Sequence, residues 1–77
     1  MAKLKELRAE KGLSQADLSK YIYISIKTIQ AYEQGRRELS GAGIDTILKI
    51  CNCLGCDLKT LFEDEPKIYE LLEKIDK

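Results

Sequence analysis

Two groups of residues in this sequence have the types and spacing to do chemistry. The first is "CNCLGC", which sets Cys51, Cys53 and Cys56 in a C-x-C-x-x-C array of thiols. The second is "SIKTIQAYEQG", residues 25–35, a short helical stretch between a capping serine and a stopping glycine. Three thiolates can begin a tetrahedral zinc site, but a closed one needs a fourth ligand, and the chain contains no histidine. The same absence removes imidazole acid–base catalysis and Ser–His or Cys–His nucleophile pairs. The five glycines (Gly12, Gly35, Gly41, Gly43, Gly55) punctuate helices and form no phosphate loop. These residues point away from an enzyme, and no metal or cofactor is expected. Buried cysteine behaves as a small hydrophobe, so the three thiols read as core filling, and a disulfide is not expected in the cytoplasm.

The second stretch has a different chemistry. At about 100° per residue, Ile29 and Tyr32 share one side of the helix, while Ile26, Lys27, Gln30, Ala31 and Gln34 form an outward strip. In the major groove of a duplex, lysine can meet guanine O6 and N7, glutamine can read adenine, and an isoleucine or alanine can press on a thymine methyl. The competing reading is a solvated face with Ile26 extending the core edge.

Such a strip works only if other elements hold it. Residues 3–11 place Leu4, Leu7 and Arg8 on one side of a first helix, which Gly12 ends. Ser14 caps a second helix with Asp17 in its first turn and Leu18 and Ile22 inward. "YIS" turns the chain, and Ser25 caps the third helix, which Gly35 ends. "RRELSGAG" is a loop, and residues 44–54 form a fourth helix through Ile44, Ile47, Leu48, Cys51 and Leu54. Asp57 caps a short fifth helix with Leu58, Leu61 and Phe62 inward. Pro66 then starts a helix with acids before it and lysines at its end, which suits the helix dipole. Nothing alternates with a period of two, so the chain is all-α. The apolar residues at Leu18, Ile22, Ile24, Ile29 and Tyr32 describe two helices folded about a short turn, a helix-turn-helix at about residues 14–35.

The length of 77 residues suits one domain with a barely sufficient aliphatic core. No apolar run approaches the ~20 residues of a membrane span, and the charged start is unlike a signal peptide, so a cytoplasmic protein without a membrane partner is expected. Net charge is zero but divided. Residues 1–38 carry eight Lys/Arg against five Asp/Glu, and residues 39–77 carry five against eight. Such a division allows a basic face on a neutral protein, which permits nucleic-acid binding without establishing it.

The stretch "LKELRAEKGLSQADLSKYIYISIKTIQAYEQGRREL" resembles the Cro/CI-type (XRE-family) DNA-binding domain of phage repressors and small bacterial regulators. The similarity continues through "GIDTILKICNCLGCDLKTLFE" and covers roughly residues 3–63, most specifically at "LSQADL", "TIQAYEQG" and "CLGCDLKTLF". It implies a five-helix lambda-repressor-like domain over residues 1–65, with residues 66–77 an additional C-terminal amphipathic helix. It also implies base contacts by the outward strip and phosphate contacts by Gln15, Ser25, Thr28, Arg36 and Arg37. An Arg8–Glu33 bridge that orients the reading helix follows from the same likeness. Where Cys51, Cys53 and Cys56 stand, the family ordinarily has alanine or valine. It usually has glycine where Tyr23 stands, since the turn often needs positive φ, and a tyrosine held there costs ~1–2 kcal/mol. It favours alanine where Ser19 stands.

A single helix-turn-helix reads only a half-site, so a homodimer on double-stranded DNA is the expected assembly. Ile68, Leu71, Leu72 and Ile75 fall at i, i+3, i+4 and i+7, and with Leu58, Leu61 and Phe62 they are the expected dimer or partner contact. Packing of that stripe on its own domain is a close rival. The reading is a sequence-specific transcriptional regulator, a repressor on a palindromic operator. The alternative is an interaction module, such as the antitoxin of a toxin–antitoxin pair, holding a protein partner by the C-terminal helix with autoregulatory DNA binding.

Overall fold

A computed structural model describes residues 3–75; positions 1–2 and 76–77, at the outer ends of the two expected stretches, lie outside the described residues. Among the described residues the elements are α1 (Leu4–Glu10), α2 (Gln15–Ile22), α3 (Ile26–Glu33), a 3-10 turn (Leu39–Gly41), α4 (Ile44–Leu54), α5 (Leu58–Leu61) and α6 (Pro66–Ile75). No strand occurs among them, and no helix is long and apolar enough to cross a membrane.

Local chemistry sets the helix ends. Ser14 and Asp17 form a reciprocal capping box at the start of α2, with each side chain bonded to the other's backbone amide at 3.0 Å. The Ser25 hydroxyl accepts from the Thr28 amide to cap α3, and the Asp57 carboxylate does the same for Thr60 in α5. Each such cap is worth about 1 kcal/mol over alanine.

Every helix from α1 to α5 contributes to one aliphatic core. Leu4, Leu18, Ile22, Ile29, Ile50 and Leu61 are fully buried, and each contributes roughly 1.5–3 kcal/mol by leaving water. α1 is also tied to α5 through the backbone, since the Lys3 amide donates to the Leu61 carbonyl at 2.9 Å. Between α2 and α3 the chain turns at Tyr23, which sits in the left-handed region at φ 57°, ψ 44°. The Ser19 hydroxyl spans that turn and donates to the Ile24 carbonyl at 2.5 Å. Ser19 therefore does more than keep the helices close.

Two expectations are corrected here. In α4 the buried stripe is Ile47, Ile50, Cys51 and Leu54, whereas Ile44 and Leu48 are more than half exposed. In α5, Leu61 and Phe62 are buried in the chain's own core and Leu58 packs against it, so the first two are closed to any partner. A four-residue helix can be held only by sinking its apolar side chains among its neighbours. α6 divides its stripe: Ile68 and Leu72 pack against the core, while Leu71 and Ile75 remain exposed.

Candidate nucleic-acid interface

α3 has one side in the core and the other in solvent. Ile29 and Tyr32 anchor it inward, and Ile26, Lys27 and Gln34 stay exposed on the other side. Ile26 is 40% exposed, a large apolar side chain at the very start of the helix. Thr28 is partly buried, its hydroxyl 2.9 Å from that of Ser25, so both hydroxyls sit at the positive end of the helix.

The C-terminal end of α3 brings two cations back beside it. Gly35 takes φ +77°, which only glycine adopts without strain. The Gly35 amide then bonds the Tyr32 carbonyl at 3.3 Å, and the Arg36 amide bonds the Ala31 carbonyl at 2.9 Å. The Arg37 amide adds a second bond to the same Ala31 oxygen at 3.2 Å, and its guanidinium lies 5.4 Å from the centre of the Tyr32 ring. Both arginines thus border the outward face of α3 together with Lys27 and Gln30.

This backbone turn explains a correction at Ala31. Expected on the open strip, Ala31 is only 9% exposed. It forms the floor of a shallow recess of about 470 Å³ walled by Lys27, Gln30, Arg36 and Arg37. Three cations and no acid line that recess, so it attracts anions.

Gln30 differs from the rest of the strip because its side chain is held. Its Nε2 donates to Gln15 Oε1 at 3.2 Å, and Gln15 Nε2 donates to Glu33 Oε1 at 2.9 Å. Glu33 in turn receives Arg8 through Nε at 2.7 Å and Nη2 at 3.1 Å, while Arg8 Nη1 donates to the Leu13 carbonyl at 2.7 Å. Arg8, Glu33, Gln15 and Gln30 therefore form one continuous network from α1 to the exposed face of α3. The side chain of Glu33 is 2% exposed and that of Arg8 13%. Burial by itself lifts the Glu33 carboxyl, but hydrogen bonds from Arg8 and Gln15, with the Arg8 charge, outweigh it and hold the group below the usual carboxylate range.

Gln15, expected at a phosphate, has its side-chain amide committed to Glu33 and Gln30, which gives it a positioning part that spacing alone did not reveal. The amides of Gln15 and Ala16, at the first turn of α2, have no intrahelical carbonyl to bond. The cysteines stand apart from all of this, Cys51 in the core and Cys53 and Cys56 packed against it.

Compared with known families, the chain matches one described as the Cro/C1-type HTH DNA-binding domain, over residues 3–67. No curated protein and no solved structure matches.

Proposed function

The chain belongs to the Cro/C1-type helix-turn-helix DNA-binding family, and from that premise we propose that it is a sequence-specific transcriptional regulator, a repressor that occupies a palindromic operator as a homodimer. α3 enters the major groove. Lys27, Gln30 and Gln34 meet base edges there, and Ile26, with Ala31 in its recess, takes thymine methyls. Arg36, Arg37, Ser25, Thr28 and the first-turn amides of α2 grip the phosphates on either side. What supports the reading is Gln30 of α3, whose side chain is tied through Gln15 to the buried Arg8–Glu33 pair and stands beside three cations.

Dimerisation rests on the exposed side chains Leu71 and Ile75 of α6, with Leu48 of α4 beside Ile75 in one groove. The chain acts in the cytoplasm, where the operator is. Residues 66–77 serve the pairing of copies, and residues 1–65 the reading of DNA. The same apolar face also fits the alternative, an antitoxin that holds a toxin by its C-terminal helix.

Selection of bound sequences from random DNA tests the proposal directly. The expected product is an inverted repeat whose half-site centres lie about one helical turn, roughly 34 Å, or a multiple of it, apart. Enrichment of single half-sites would remove the dimer, and enrichment of nothing would remove the function.

A further inference from the structure

The last turn of α4 ends as α3 does. Gly55 adopts φ +64°, and the Cys56 amide reaches back to the Cys51 carbonyl at 3.0 Å. In this motif the side chains at the two bonded positions commonly make an apolar contact. Here both are cysteines, Cys51 at the bonded carbonyl and Cys56 at the bonded amide. Both line one groove of about 420 Å³ with Leu48, Leu58, Leu72 and Ile75, whereas Cys53 lies in a different depression beside Lys11 and Tyr21. All three thiols are free.

We propose that Cys51 and Cys56 form a reversible disulfide across the C-terminal cap of α4, by exchange with a small-molecule disulfide such as oxidised glutathione admitted through the groove when the copies are apart. Cys56, the more exposed of the two, loses its proton and attacks one sulfur of the small disulfide. That S–S bond breaks and one small thiol leaves. Cys51 then loses its proton and attacks the Cys56 sulfur of the mixed disulfide, expelling the second small thiol. Two protein thiols are oxidised, one small disulfide is reduced, and both protons end on the released thiols.

Burial tunes the rate of this exchange. It pushes the Cys51 thiol up to about 11, with the neighbouring Cys56 adding to the effect, and it holds Cys56 above its ordinary value as well. Thiolate is scarce near neutrality, so exchange is slow there and quickens as pH rises. Below the ordinary thiol value of about 8.5 the equilibrium itself does not change with pH, because each side of the exchange binds the same two protons. In a reducing compartment such a bridge is transient, as suits a signal rather than a staple. The bridge would form in the wall of the groove that Leu72 of α6 also lines.

The test equilibrates the whole chain in glutathione buffers of graded redox poise, traps remaining thiols with an alkylating mass tag and weighs the intact protein. Wild type and Cys53→Ser keep the pair; Cys51→Ser and Cys56→Ser break it. In wild type, alkylatable thiols should fall from three to one, with the protein lighter by two hydrogens and no glutathione retained at the pair. Cys53→Ser should lose both its thiols together. Cys56→Ser alters a partly exposed position, so its fold survives, and it should retain glutathione or stay reduced. The proposal is overturned if Cys53→Ser stays fully reduced in the most oxidising buffer. It is equally overturned if that variant accumulates a lasting glutathione adduct or a disulfide-linked dimer.

Discussion

Arg8 and Glu33, 25 residues apart in the chain, meet through two nitrogens and two oxygens at 2.7 and 3.1 Å with the carboxylate almost wholly enclosed. Removing one partner of such a pair strands the other charge, so Glu33→Gln should cost about 3–5 kcal/mol near neutral pH. The sign of the pH effect follows from the depressed carboxyl. Its contribution is complete above the ordinary value near 4.5 and is lost as pH falls through the lower folded value. Urea unfolding from about pH 7 to about pH 3 should therefore show the gap between wild type and Glu33→Gln closing on acidification. Asp17 and Asp57, also held low by their helix-cap hydrogen bonds, act alike in both proteins and cancel in the difference.

Gln15 should behave as a reading residue without touching a base. Gln15→Ala frees Gln30 to sample other rotamers, and preference at the Gln30 base should relax by about 1–3 kcal/mol, as it does for Gln30→Ala. The double substitution should cost little more than either alone. Full additivity in a binding titration would show the two side chains to be independent.

Arg36 and Arg37 flank the recess from outside α3 and should act on all sequences alike. Each change to alanine should weaken binding uniformly and lower the slope of log affinity against log salt by about 0.9. A base-specific loss at either position would assign that arginine to the groove floor.

Tyr23, 86% exposed, holds a left-handed conformation with Lys49 Nζ 5.8 Å from its ring centre. Relief of that backbone strain, about 1–2 kcal/mol, is partly offset by the greater freedom of unfolded glycine. Tyr23→Gly should raise stability by about 0.5–1 kcal/mol with DNA affinity unchanged. A denaturant midpoint at or below that of wild type would contradict this.

Leu71→Asp and Ile75→Asp alter only exposed positions of α6, unlike deletion of the helix, which would also uncover Ile68 and Leu72. Each should convert dimer to monomer in sedimentation while leaving the thermal midpoint of the folded chain within a few degrees. Loss of affinity for a full palindrome, with half-site binding kept, should accompany the change.

The helix ends were legible because their signals are local. Serine at 14 and 25, aspartate at 57 and glycine at 12, 35 and 55 each act on amides or carbonyls within a few residues. The side that α4 buries was not. Ile44, Ile47, Leu48 and Cys51 fit the i, i+3, i+4, i+7 pattern, and so do Ile47, Ile50, Cys51 and Leu54, so periodicity cannot choose between them. Packing against α2 chooses. α6 splits its stripe for the same reason. At the interface, the arc of α3 could be read from helix geometry, but the burial of Ala31 arises from Arg36 and Arg37 folding back outside the helix. The Gln15–Gln30 bond joins residues on different helices, and nothing in their spacing announces it.

The backbone clasp between Lys3 and Leu61 has a consequence for anyone who would excise the reading element. Residues 14–35 cut out as a peptide would leave behind Arg8, Leu4, Ile50 and Leu61, and with them both the buried cation and most of the apolar bed. Such a fragment would be a coil with the right letters and no fixed grip. Recognition here is a property of the whole buckled belt, fastened where its two distant stretches meet.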